Sequence, residues 1–219
     1  MQGNRELHVL GYYIDYTYPG LIEACENFIR LREQRESRIF EYLRQKSVPL
    51  EEKLVRRHMP QGVAGRPHFA IAMVEAGYVA TVQEAFDIYL GTPEFDRVER
   101  TKPTAKEGIN MILEAGGVPV LAHPAMLGLD DKKLEALIAS LVSDGLKGIE
   151  CYYSTHTPKQ TEQYLKYAER FGLIVTCGSD FHGNNKPGID IGSGTTGLSE
   201  AETEKVLGSL RSSAERVEN

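Results

Sequence analysis

The chain of 219 residues is short of cysteine. It has three, Cys25, Cys151 and Cys177, an odd number with no clustering. They build neither a disulfide framework nor a CxxC site, a usage that fits the reducing cytosol. The sequence also lacks an apolar run of about 18 residues, the length a membrane-crossing helix needs. Its opening residues, MQGNRELHVLGYY, hold no apolar signal-peptide region. A cytoplasmic protein with no membrane partner is the expectation. There is no basic tract, and the formal net charge is −6. That argues against long duplex nucleic acid held on a broad positive surface. A small phosphate-bearing ligand stays open, because a few local Arg, His or metal charges can hold one. Also missing are a P-loop and a Ser or Cys nucleophile elbow, which removes those routes to phosphate and acyl chemistry.

What is present is ordinary for a soluble globular protein, 41% hydrophobic and 26% charged. Residues 5–15 alternate and are rich in β-formers, so they read as a strand. Residues 20–46 read as a long helix, with Leu21, Ile22, Phe28, Ile29, Ile39, Phe40 and Leu43 at helical spacing. Its RLREQRESR stretch reads as a solvated charged face. Residues 49–100 hold short helical segments (50–58, 68–77, 81–90) broken by Pro60, Gly77 and Gly91, and they read as a helical insertion. Within it, Arg66 and His68 fall at a helix start, where free N–H groups and side-chain cations can clamp phosphate. An ordinary N-terminal turn with solvated charges is the other reading.

From residue 103 a β/α rhythm takes over. Helices are expected at 103–115, 130–143, 158–171 and 199–211, strands at 118–122, 148–153 and 173–177, and a Gly-rich loop at 183–197. Alternation of this kind implies a parallel sheet or barrel. The strand ends then collect chemistry. His123 ends one strand and His156 follows another. Asp180 and His182 follow a third, two residues apart and so on one side of an extended segment. His8 lies on the N-terminal strand. In a parallel β/α array the C-terminal strand ends share one face. Imidazole nitrogens and a carboxylate there suit a divalent ion such as Zn, Mn or Fe, which activates water.

The stretches Leu121-Ala122-His123-Pro124, Gly148-Ile149-Glu150-Cys151-Tyr152-Tyr153, Gly178-Ser179-Asp180-Phe181-His182-Gly183 and Asn185-Lys186-Pro187-Gly188-Ile189-Asp190-Ile191-Gly192 resemble the PHP family of polymerase and histidinol phosphatase phosphoesterases. Arg66-Pro67-His68 and ELHVLGYYID at 6–15 narrow the resemblance. They are similar to the branch that removes phosphate from 3′,5′-bisphosphonucleotides and trims short RNA 5′ ends. The resemblance implies an α/β fold, an incomplete, distorted seven-stranded β/α PHP barrel formed by residues 1–48 and 101–219, with 49–100 as a helical insertion. It implies up to three divalent metal ions. His8 and His123 would ligate one, Asp180 a second and His182 a third. Arg66 and His68 would grip substrate phosphate, and His156 would lie near the substrate pocket. The implied reaction is hydrolysis of a phosphate ester by metal-activated water, and the partner is a small phosphorylated nucleotide or short oligonucleotide.

The sequence departs from that pattern in one respect. The family places an H-x-H strand, a T-D-H-D motif and a bridging glutamate before the strand that holds His8, and none of these occurs here. Glu6 is no substitute, because it belongs to the motif around His8. Fewer than three metals are therefore expected, and exposed barrel edges would favour self-association. Three readings follow: a piece of a longer polypeptide, a short form that completes its barrel with another chain, or a non-catalytic phosphate- or nucleotide-binding module. The intact motifs favour the first.

Overall fold

The protein was analysed as a computed structural model, which describes residues 6–59, 61–98, 102–183, 186–193 and 198–214. Pro60 and parts of the expected Gly-rich loop, residues 184–185 and 194–197, lie outside the described residues. In chain order the elements are β1 (Val9–Tyr12), α1 (Pro19–Gln45), α2 (Glu52–Arg56), α3 (Arg66–Glu75), α4 (Val82–Ala85) running into a π-turn (Phe86–Leu90), a 3₁₀ turn (Phe95–Arg97), α5 (Ala105–Glu114), β2 (Val118–Leu121), a 3₁₀ turn (Pro124–Leu127), α6 (Asp131–Ser143), β3 (Gly148–Tyr153), α7 (Pro158–Phe171), β4 (Ile174–Gly178) and α8 (Glu200–Ala214).

The chain divides into two compact units, Met1–Ile22 with Pro103–Asn219, and Glu23–Lys102. The sequence reading assigned residues 1–48 to the barrel portion, whereas most of α1 groups with the helices. The physical reason is its inner face: Ile39, Tyr42 and Leu43 pack with Val55, Phe69, Met73, Leu90 and Phe95 in one apolar cluster. The charged stretch on α1 is not uniformly solvated either. Glu36 is buried, and it accepts from Ala64 N–H at 3.0 Å and pairs with the Arg56 guanidinium at 2.7 Å. A buried carboxylate needs such partners.

In the other unit the four strands form one sheet in the order β1-β2-β3-β4. β2, β3 and β4 run parallel, and β1 runs antiparallel to β2, with Val9 opposite Leu121 and Tyr12 opposite Val118. The sheet is thus mixed, not uniformly parallel. β2 is buried at all four positions, so its sequence Val-Pro-Val-Leu is apolar without alternation. Leu121, Ile149 and Cys151 pack with Ile109, Ile138, Leu141 and Tyr164 from α5, α6 and α7 on one face. Val118 and Val120 meet Leu210 and Val206 of α8 on the other.

The helices start where side chains satisfy their free N–H groups. Thr104 and Thr157 cap α5 and α7 in reciprocal boxes with Glu107 and Gln160, and Asp130 caps α6. Gly172 ends α7 in the left-handed conformation, φ 63°, and returns the chain to β4. β3 carries a bulge against β4 between Glu150 and Tyr152. The bulge breaks strand alternation, and Glu150 and Tyr153, three residues apart, both reach His123.

Candidate metal centre

His8 lies one residue before β1, at the start of the strand. It meets His123 because β1 is antiparallel, so the start of β1 sits beside the end of β2. Ala122 N–H donates to His8 O at 3.1 Å. His8 Nδ1 and His123 Nε2 come to 3.1 Å, with the rings edge to face at 5.0 Å between centroids. Burial lowers the His123 pKa and the neighbouring His8 pushes the same way, against its own backbone contact and the Asp180 charge. The neutral imidazole so favoured is the form that ligates metals.

His123 has φ 27°, ψ 61°, a conformation that non-glycine residues seldom adopt. Glu150 holds it there. Its Oε2 accepts from His123 N–H at 2.7 Å, and the residue is 3% exposed. Burial pushes its carboxyl up to about 7, with Asp180 adding to the shift and the His123 hydrogen bond opposing it. Gly178 at the end of β4 makes the room, since a Cβ there would stand 2.1 Å from Glu150 Oε1.

Asp180 comes two residues after β4, also with a positive φ of 51°. The segment is a turn, not the extended run that the two-residue spacing suggested. His182 therefore folds back: its Nδ1 lies 2.7 Å from the Asp180 carbonyl and 3.4 Å from Oδ1, and its ring is exposed. Tyr153 Oη donates to Asp180 Oδ2 at 3.0 Å, and the Lys186 ammonium pairs with the same oxygen. Burial alone would raise the Asp180 pKa; the bonds from Lys186 and Tyr153 outweigh it and hold the carboxyl below its ordinary value.

Tyr153 links the two halves, its ring 5.6 Å from His123 and its hydroxyl on Asp180. His156 packs on the other side of Tyr153, 5.0 Å away, and against Tyr164 at 4.9 Å. Its Nδ1 bonds Cys151 O at 3.0 Å, and its Nε2 is buried without a hydrogen-bond partner. His156 is thus a packed ring rather than an open one. Arg66 and His68 lie in the helical unit. Arg66 donates to Leu90 O at 3.3 Å and sits over the Phe86 and Phe95 rings, while His68 Nδ1 accepts Gly65 N–H at 2.9 Å.

Two imidazoles with facing nitrogens, beside a carboxylate, fit a borderline or hard divalent ion by donor type. Among the described residues no group of three or more His, Cys, Asp or Glu side chains is placed to hold one. Sequence reasoning missed Glu150, Tyr153 and Lys186 as site residues. Glu150 left a signal, a charged residue inside the apolar strand Ile149-Glu150-Cys151. Lys186 lay inside the 185–192 stretch, but nothing in that stretch pointed to its pairing with Asp180.

This α/β arrangement, with its imidazole and carboxylate donors at strand ends, has close counterparts. No protein-family model matches the sequence. The 5′-3′ exoribonuclease Rnm of Escherichia coli is 30% identical over 189 residues, covering 86% of this chain and 64% of that protein. The 3′,5′-nucleoside bisphosphate phosphatase of Chromobacterium violaceum is 28% identical over 206 residues, covering 87% and 67%. Among solved structures, a Bifidobacterium adolescentis protein described as a metal-dependent phosphoesterase superposes with TM-score 0.65 at 30% identity, covering 93% of this chain and 71% of that one. A C. violaceum amidohydrolase with bound sulfate gives TM-score 0.65 at 27% identity, covering 88% and 67%. The class is metal-dependent phosphoesterase. The chain belongs to its PHP family, and the two sequence relatives are named a 5′-3′ exoribonuclease and a nucleoside bisphosphate phosphatase. It spans 64% of the length of the E. coli relative.

Proposed function

We propose that this chain carries the metal and phosphate-binding residues of a phosphoesterase that hydrolyses a 3′,5′-bisphosphonucleotide or a short oligonucleotide 5′ end. The observation that carries the reading is the approach of His8 Nδ1 to His123 Nε2 at 3.1 Å, with Asp180 reached through Tyr153. His8 and His123 would hold one divalent ion, Asp180 a second and His182 a third, with Mn, Zn and Fe all suited to the donors. Bound there, such ions supply Lewis-acid chemistry that acidifies water and stabilises charge on the phosphoryl oxygens. The chain's own residues do the positioning. Glu150 fixes the backbone of His123, Tyr153 fixes Asp180, and Arg66 and His68 are the candidate grips on substrate phosphate, with His156 behind Tyr153. In this reading the four-stranded sheet is a portion of a distorted PHP barrel with the helical unit inserted in its sequence. The protein works in the cytoplasm, and the open sheet edges favour self-association.

The test is Mn-dependent release of phosphate from a 3′,5′-bisphosphonucleotide by this chain. Turnover that is lost in both His123→Ala and Asp180→Ala supports the reading. A second reading, a non-catalytic phosphate- or nucleotide-binding module, draws on the count of donors: among the described residues no group of three or more His, Cys, Asp or Glu side chains converges, and His8 and His123 face each other as a pair. Nucleotide binding without any turnover would select it.

A further inference from the structure

We propose that Lys186 is a built-in counter-cation of Asp180 that competes with a divalent metal for Oδ2 of its carboxylate. The inference rests on the reading of Asp180 as a metal ligand and names a residue that regulates that ligand.

Asp180 Oδ2 receives two donors, the Lys186 ammonium and Tyr153 Oη at 3.0 Å. Lys186 Nζ also donates to Tyr153 Oη at 3.3 Å, so the three groups close a triangle. The other carboxylate oxygen, Oδ1, faces His182 Nδ1 at 3.4 Å. The turn after β4 delivers the ammonium: Lys186 N–H donates to Gly183 O at 3.2 Å, and Ile189 N–H donates back to Lys186 O at 3.3 Å. Lys186 therefore reaches Asp180 from six positions on, against a side chain that is 28% exposed.

A carboxylate oxygen that already accepts two hydrogen bonds has no lone pair left for a metal ion. Two cations within a few ångströms of each other also repel strongly in a partly buried site. Metal and ammonium are thus alternatives at Oδ2. Metal-free, Lys186 and Tyr153 hold the Asp180 carboxylate in place. A metal taken up at Oδ2 displaces the ammonium, and the exchange lowers apparent metal affinity. Tyr153 stays in either state, because its hydroxyl can turn to keep one contact.

The test measures Mn²⁺ uptake by the whole chain, from free Mn²⁺ by electron paramagnetic resonance. Lys186→Met should raise affinity roughly two- to fivefold, the scale of a partly exposed ion pair. Lys186→Arg should stay within about twofold of wild type, because the cation is kept. Metal-free Lys186→Met should also melt lower than wild type, and its gain on Mn²⁺ addition should be larger. An unchanged or weaker Mn²⁺ affinity in Lys186→Met, or no uptake by it, overturns the assignment. Asp180→Asn separates the two failures. If it weakens uptake while Lys186→Met does not strengthen it, only the role of Lys186 falls. If it leaves uptake unchanged, Asp180 is not a ligand and the functional reading of that residue falls with it.

Discussion

His123 sits in a strained conformation, and a buried carboxylate holds it there. Two predictions follow from that contact. Burial raises the Glu150 pKa to about 7 in the folded chain, above its value when unfolded. The folded state therefore binds the proton more tightly. Stability should be fullest below about pH 4.5 for this group and should fall as pH rises through about 7, by at most ~3 kcal/mol. Urea melts of the chelator-treated chain should show that loss, and Glu150→Gln should flatten it. Gly178→Ala places a methyl group against Glu150 Oε1. The carboxylate cannot swing away without abandoning His123 N–H. A loss of about 1–3 kcal/mol is expected, the cost of an unsatisfied buried donor, measured as a lower denaturation midpoint.

At the scale of elements, orientation matters more than location. β1 brings His8 to His123 only because it runs antiparallel to β2. A parallel β1 would have left its first residue at the opposite end of the sheet. The alternating residues of this strand were readable, and its direction was not, because pairing direction depends on a strand over a hundred residues away. Helix starts were more legible, since their caps are local. Thr157 bonds Gln160 N–H at 3.3 Å while Gln160 returns to Thr157 N–H at 2.8 Å. Thr157→Ala should cost about 1 kcal/mol, seen as a lower melting temperature with the site geometry unchanged.

For the whole molecule, each unit keeps its own core, and each can be probed by itself. Leu43 is fully buried among the helices of the Glu23–Lys102 unit. Leu43→Ala should destabilise that unit by about 2–5 kcal/mol. The amide exchange of its helices should rise, while that of β2 and β3 is the comparison. Metal binding adds a linkage term. If the chain takes up Mn²⁺, a concentration of 100 times Kd should stabilise it by about 2.7 kcal/mol, and chelation should reverse the gain. A melting temperature indifferent to both would argue against any metal site in this chain.

The sequence by itself determined the β/α rhythm, the helix caps, and the types of side chain gathered at strand ends, because each depends on neighbours a few residues away. It also carried the family, through short motifs in order. The tertiary structure decided which of those side chains meet. It set the antiparallel β1, the bulge that turns Glu150 and Tyr153 toward His123, the positive-φ Asp180 that folds His182 back on its carbonyl, and the approach of Lys186 to Asp180 Oδ2. Those depend on contacts between distant segments, where register and backbone handedness, rather than residue type, fix what touches.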